Sequence, residues 1–237
     1  MRLTENAPLI FFPESYMTLR NKFFYSLLER PRPVTTLGTG NGAWNITTDG
    51  LNNNSCVVSA GIGYDISFDL AVHERFDCRV YLLDPTPVAL TTISDLPPLP
   101  RNMTFVPLGL SGKTGNNFFS AQSNPEDPSF RYPDTPSKHD ANSDLVSFPC
   151  KRLSAWMQET GLDHIDLLKL DIEGFEYDVI RDLVESRLSI DQICVEFHHG
   201  ILSGISRCHT LLACMRLFFA EYTLIDHVGL NHTFVRK

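Results

Sequence analysis

His164-Ile165-Asp166-Leu167-Leu168-Lys169-Leu170-Asp171-Ile172-Glu173-Gly174-Phe175-Glu176-Tyr177-Asp178-Val179-Ile180 reads as a buried strand that turns directly into a helix. The apolar run at 165–170 has strand length, and helical spacing takes over near 175–185. The strand delivers Asp171 at its C-terminal tip. Lys169, two residues earlier, projects from the same face. An Asp–Lys pair there is costly to bury unless both groups find partners. Glu173 and Glu176 fall one helical turn apart at the helix start, where Glu176 and Asp178 complement the positive end of the helix dipole.

Working outward, the same alternation recurs. Upstream strands are predicted at 56–60, 79–83 and 103–106, with helices at 67–76 and 152–160. Downstream, a strand at 193–197 and a helix at 204–220 lead to two strands at 222–225 and 232–235. Apolar strands alternating with amphipathic helices predict an α/β fold with a mostly parallel sheet covered on both faces. Near the N-terminus, Tyr16, Leu19, Phe23, Phe24 and Leu27 recur at helical spacing over about 14–30, and Pro31-Arg32-Pro33 stops the run. Residues 34–37 and 43–46, split by a Gly-rich segment, read as a hairpin. Residues 1–55 are therefore taken as a helix-and-hairpin extension, and 56–237 as the main domain. Residues 111–149, dense in Ser, Asn, Pro and Asp, read as one long loop of the kind that serves as a lid.

Composition excludes several classes. Of 237 residues, 43% are hydrophobic and 20% charged, which excludes disorder throughout. The net charge of −8, without a Lys/Arg cluster, gives no electrostatic footprint for nucleic acid. No apolar run approaches the ~20 residues of a membrane span. The first residues lack a signal-peptide core, so the expected compartment is the cytosol. The six cysteines form no C-x-x-C pair, and Cys56 and Cys194 sit in apolar runs as buried hydrophobes.

In an open sheet of this kind, ligands bind beyond the carboxyl ends of the strands, where strand order reverses. After the first of these strands comes Gly61-Ile62-Gly63-Tyr64-Asp65, whose glycines let the backbone approach a ligand closely. Asp84, at the end of the second, is placed to accept hydrogen bonds from ribose hydroxyls of a nucleoside-bearing cofactor; the alternative is a cap on the turn before Pro85. In Glu196-Phe197-His198-His199, Glu196 and His198 share one face at a strand end.

At these residues the chain resembles the FkbM-type family of S-adenosylmethionine-dependent methyltransferases. The resemblance rests on 165–176, on Val195-Glu196-Phe197-His198, on Asp84-Pro85-Thr86-Pro87, and on Cys150-Lys151-Arg152-Leu153 before a helix. It implies a Rossmann-like class I methyltransferase fold: seven strands in the order 3-2-1-4-5-7-6, the last antiparallel. It also implies methyl transfer, usually to an oxygen, here of a small or carbohydrate-like hydroxylated acceptor. Such enzymes usually carry an acid two places before the first glycine. Here that place is Ser59, a departure that Asp65 can offset in part. The cofactor-binding candidates are Ser59, Gly61, Gly63, Asp65, Asp84 and Asp171. A hydroxyl acceptor benefits from a base or a metal ion. Glu173, Glu196 and His198 are the catalytic candidates, and Asp171, Glu196 and His198 the candidate ligands of a divalent cation. Two rival readings are an NAD-dependent oxidoreductase, which lacks its third glycine because Ile66 stands there, and a binding module that kept the fold without catalysis.

Overall fold

The structure is a computed structural model and describes residues 25–26, 28–121, 130–133, 145–202 and 204–237. The first strands among the described residues form a two-stranded hairpin, β1 (Thr35–Leu37) and β2 (Trp44–Ile46), as predicted. The central elements are β3 (Cys56–Ala60), α1 (Ser67–Phe76), β4 (Arg79–Leu83), α2 (Pro87–Asp95) and β5 (Met103–Val106). Four short strands follow: β6 (Gly109–Leu110), β7 (Gly115–Ala121), β8 (Phe130–Arg131) and β9 (Leu145–Lys151). The chain then runs through α3 (Leu153–Thr160), β10 (Ile165–Leu170), α4 (Glu176–Glu185) and β11 (Ile190–Glu196). It ends in α5 (Arg207–Phe219), β12 (Tyr222–Val228) and β13 (Asn231–Arg236).

Seven strands form the main sheet in the order β5-β4-β3-β10-β11-β13-β12. Counted along the chain within this sheet, that is 3-2-1-4-5-7-6. The five strands from β5 to β11 pair in parallel, and β13 runs antiparallel to both its neighbours. This is the class I methyltransferase arrangement that the resemblance implied. The inner strands are buried on both faces, which is why they read as unbroken apolar runs. Successive residues alternate between two cores. Val58, Leu168 and Ile193 pack with Trp156, Val179, Ile180, Ala213 and Leu217 from α3, α4 and α5. Val57, Leu167 and Cys194 pack with Phe68 and Val72 of α1, Ala89 of α2, and Trp44 and Ile46 of the hairpin. All six cysteines are free, and all but Cys208 are buried.

Two features differ from the sequence expectation. Helix α2 was not foreseen, although Thr86 caps it through a bond from the Ala89 amide (3.3 Å) and Pro87 opens it. The stretch 111–149 is not one loop. Strands β7 and β9 pair antiparallel along their length, and with β6 and β8 they make a second sheet of order β6-β9-β7-β8. Its inner side carries Phe119, Phe148 and Cys150, packed on Phe175. The rest of the expected lid, 122–129 and 134–144, lies outside the described residues. So does most of the expected N-terminal helix, of which Tyr25, Ser26 and Leu28 are described and helical.

The lead-in to α3 is locked to α4 by one carboxylate. Asp182 accepts from Arg152 Nε (2.9 Å), the Ser154 amide (2.9 Å) and hydroxyl (2.8 Å), and Ser186 (3.1 Å). Burial works against its charge, but these donors outweigh burial and hold its pKa below the usual carboxylate range. Asp182→Ala is expected to lower the unfolding free energy by about 2–3 kcal/mol in denaturant titration. A depressed carboxyl pKa stabilises the fold above the unfolded-state value and loses that contribution as pH falls through the folded value. The advantage of the native chain over Asp182→Asn should therefore shrink below about pH 4.

Candidate functional site

A cavity of about 820 Å³ opens at the carboxyl ends of β3, β4, β10 and β11. It sits where the chain, having left β3 toward β4, later returns to the other side of β3 as β10, the switch point of the sheet. Every sequence candidate except Ser59 lines it. Ser59 is fully buried behind the wall.

The turn after β3 forms one side. Gly61 has φ +79°, and a Cβ there would lie 1.6 Å from the Asp171 carbonyl oxygen, so only glycine fits. Gly63, at φ +49°, has nothing within 4 Å of a Cβ position and leaves open space beside the cavity. Asp84, 5% exposed, holds this turn. One carboxylate oxygen accepts from the amides of Ile62 (3.0 Å) and Gly63 (3.1 Å), and the other from the Thr86 amide (2.8 Å) and hydroxyl (2.6 Å). The turn-capping role weighed for Asp84 is thus on display, and the residue also lines the cavity. Asp65 accepts from the Ser67 amide (2.7 Å) at the start of α1, and its carboxylate abuts Gly42 of the hairpin connection.

The tips of β10 and β11 form the facing side. Lys169 is 4% exposed, donates to the Gly61 carbonyl (2.7 Å) and stands 3.8 Å from Asp171. Glu173 has φ +52°, an uncommon conformation for a side-chain-bearing residue. It is pinned there by the Tyr132 amide on its carbonyl (2.8 Å) and by Arg131 on its carboxylate (3.3 Å), both at the β8 edge of the second sheet.

Glu176, fully buried, is a residue of this cluster that the sequence reading assigned only to the helix dipole. One of its oxygens accepts from both the backbone amide (3.0 Å) and Nδ1 (3.1 Å) of His198, and the other from the Gly174 amide (2.8 Å). Its signal in the sequence is position. It shares a helix face with Val179, Ile180 and Leu183, which is the apolar face, so its carboxylate points inward. The bond to Nδ1 turns His198 Nε2 toward Glu173 (3.5 Å) and Asp171 (3.8 Å). Ligand atoms of Asp171, Glu196 and His198 lie within 4.8 Å of one another.

This crowding shifts the titration of the group. Burial alone lowers the His198 pKa, but Glu176, Glu173 and Asp171 outweigh it and push it up to about 9. Burial and then the neighbouring Asp171 carboxylate push Glu196 up to about 7. The remaining walls come from segments flanking the sheet: Asn41 and Trp44 of the hairpin, Phe119, Phe130 and Arg131 of the second sheet, and Leu230 and Asn231 at the β12–β13 turn.

The family model described as the methyltransferase FkbM domain matches residues 17–223, so the chain belongs to the FkbM family of S-adenosylmethionine-dependent methyltransferases. No curated protein gives a significant match. Among solved structures, the chain is similar to fibrillarin, a pre-rRNA processing protein of Methanococcus jannaschii (7% identity, 78% of this chain and 67% of that one, TM-score 0.44). It is also similar to precorrin-6y C5,15-methyltransferase of Geobacter metallireducens (13%, 79% and 84%, 0.42). A third is TrmK of M. capricolum in complex with S-adenosylhomocysteine (8%, 78% and 62%, 0.39).

Asp84→Ala is expected to weaken S-adenosylhomocysteine binding by about 1–3 kcal/mol, the scale for hydrogen bonds to a charged group. Titration calorimetry measures it. Unchanged affinity would leave Asp84 with the turn alone.

Proposed function

From that membership we propose that the protein methylates an oxygen of a small hydroxylated acceptor, working in the cytosol. The observation that carries this reading is the convergence of Asp171, Glu196 and His198 on one wall of the cavity. The cavity suits the cofactor. Its volume falls within the usual range for ligand sites of roughly 300–1,000 Å³, and the open space at Gly63 and the carboxylate of Asp84 are placed for a nucleoside. When bound, S-adenosylmethionine supplies a methyl group on a sulfonium.

The chain's own residues then have distinct tasks. Gly61 and Gly63 let the backbone come close to the cofactor, and Asp84 holds that turn while facing the ribose. Glu196 is the base. Its carboxyl titrates near neutrality, where a base is most effective, and it takes the acceptor's proton at a carboxylate oxygen. His198, held by Glu176, keeps Nε2 against Asp171 and Glu173 and offsets their charge. Alignment of the acceptor hydroxyl by these walls supplies much of the rate. Lys169 is tied to Gly61, and Arg131 to Glu173. Unpaired buried cysteines agree with a reducing compartment, and no helix among the described residues is long and apolar enough to cross a membrane.

The same convergence supports a second reading, in which Asp171, Glu196 and His198 hold a divalent cation that orients the acceptor. Two carboxylates and an imidazole suit manganese, iron or zinc. The Glu176 bond to Nδ1 is the usual support of a ligating histidine. Glu196→Gln is expected to lower kcat by about 10²–10⁴-fold with S-adenosylhomocysteine affinity retained. Activity that survives exhaustive chelation supports the base. Loss on chelation with recovery on adding manganese supports the cation.

A further inference from the structure

The amino ends of β10 and β11, at the edge of the sheet opposite the cavity, carry a second cluster of ligating side chains. His164 immediately precedes β10, Asp166 is the second residue of that strand, and Asp191 is the second residue of β11. One ligand atom from each lies within 4.8 Å of the other two. His164 Nε2 is 3.1 Å from Asp191 Oδ2 and 3.9 Å from Asp166 Oδ1. Two ligands held at about 2.1 Å by one tetrahedral ion stand roughly 3.4 Å apart, so small side-chain shifts suffice to enclose an ion here.

Two observations besides proximity point to a cation. The first is strand register. Asp166 and Asp191 lie between the pairs Ile165–Ile190 and Leu167–Gln192, so the two carboxylates stand opposite each other on adjacent parallel strands. Like charges placed directly opposite destabilise a sheet. Among the described residues the ionic partner of both is His164, not a Lys or Arg. The second is the support around the ligands. His164 Nδ1 is 2.9 Å from the Ser189 hydroxyl, which can accept its proton and leave Nε2 to ligate. Asp166 accepts from the Ser55 hydroxyl (3.1 Å) and the Cys56 amide (2.7 Å), which fix its orientation. The side chains of His164 and Asp191 are 39% and 56% exposed, which gives an ion a way in and leaves room for a water ligand.

We propose that His164, Asp166 and Asp191 form a binding site for a borderline divalent metal of the zinc type. Two carboxylates balance the charge of the ion, and the imidazole favours zinc over magnesium or calcium. The bound ion joins β10 to β11 and, through the bonds of Asp166 to Ser55 and Cys56, reaches the start of β3. These are three of the strands whose opposite ends form the cavity. The ion therefore fastens the sheet at the end away from the chemistry, and its effect falls on stability. The site does not depend on how the cavity is read.

The test uses the full chain, stripped with chelator and titrated with zinc chloride at pH 8, where protons compete little for the ligands. Asp171→Asn serves as the parent, because it removes a ligand of the candidate cation site in the cavity. One zinc ion per chain is expected to bind this parent, and His164→Ala is expected to weaken that binding roughly tenfold or more. Zinc at about a hundred times its dissociation constant should raise the melting temperature of the parent by about 5 °C and leave that of the His164→Ala variant unmoved. Without metal, Asp191→Asn should melt no lower than the parent, because it relieves the repulsion between the paired carboxylates; with zinc, it should melt lower. Absence of zinc binding, or equal binding by the parent and by His164→Ala, would overturn the proposal. So would an Asp191→Asn variant that melts several degrees lower in chelator, the mark of an ordinary histidine–aspartate ion pair.

Discussion

Where β3 leaves the sheet, Gly61 crosses Asp171 at a separation that admits no side chain. The contact is backbone against backbone, so no rotamer change can relieve it. Two hydrogen bonds fasten the crossing: the Asp171 amide to the Ala60 carbonyl (3.0 Å), and Lys169 to the Gly61 carbonyl (2.7 Å). The turn after β3 and the tip of β10 are therefore bonded into one piece. Asp84 extends it by tying the amides of Ile62 and Gly63 to the tip of β4. Three neighbouring strands thus end in a single bonded unit at the switch point.

Charge is the second constraint. Asp171, Glu173, Glu176 and Glu196 come from the tips of two strands and the start of one helix, and they surround a single imidazole. Burial and then the neighbouring Asp171 carboxylate make Glu196 hold its proton more tightly than usual, and the surrounding carboxylates, outweighing burial, do the same for the imidazole of His198. Burial of Glu176 commits its charge to His198, so the imidazole is oriented before any ligand arrives.

The parts legible in the sequence are those whose signal is local. Strands such as Cys56–Ala60 and Ile165–Leu170 are buried on both faces and so appear as apolar runs of strand length. The glycine turn and the acids at 84, 171, 173 and 196 follow from their place at strand ends. Helix Pro87–Asp95 was missed because Ala89 is its one buried residue, leaving no apolar stripe to count; the Thr86-Pro87 cap was the available sign. The second sheet was missed because one of its faces is open to solvent and Pro149, which can donate no ladder bond, stands inside β9 opposite Asn116. The pairing of Glu176 with His198 spans 22 residues, and that of Lys169 with Gly61 spans 108. Contacts of that separation leave no trace in periodicity or local composition. What the sequence does show is the anomaly they resolve, a charged residue on an apolar face.

The least legible element also sustains the least comfortable one. Glu173 in the left-handed region costs about 1–3 kcal/mol relative to an ordinary backbone conformation, and the residue that follows it, Gly174, also has positive φ. Such a kink persists only if its surroundings over-determine it. Here the Tyr132 amide holds the Glu173 carbonyl, Arg131 holds its carboxylate, and the Glu176 carboxylate holds the Gly174 amide. Phe175, the next residue, is clamped among Phe119, Phe148 and Tyr132, with ring centres 4.7 Å from Phe119 and 4.9 Å from Tyr132. The added sheet thus does more than line the cavity. Its β8 edge and aromatic face fix the turn between β10 and α4, and that turn sets where Glu173 stands relative to His198. A polar stretch that sequence reading takes for a loose lid is, in the described part, a brace for the turn between β10 and α4.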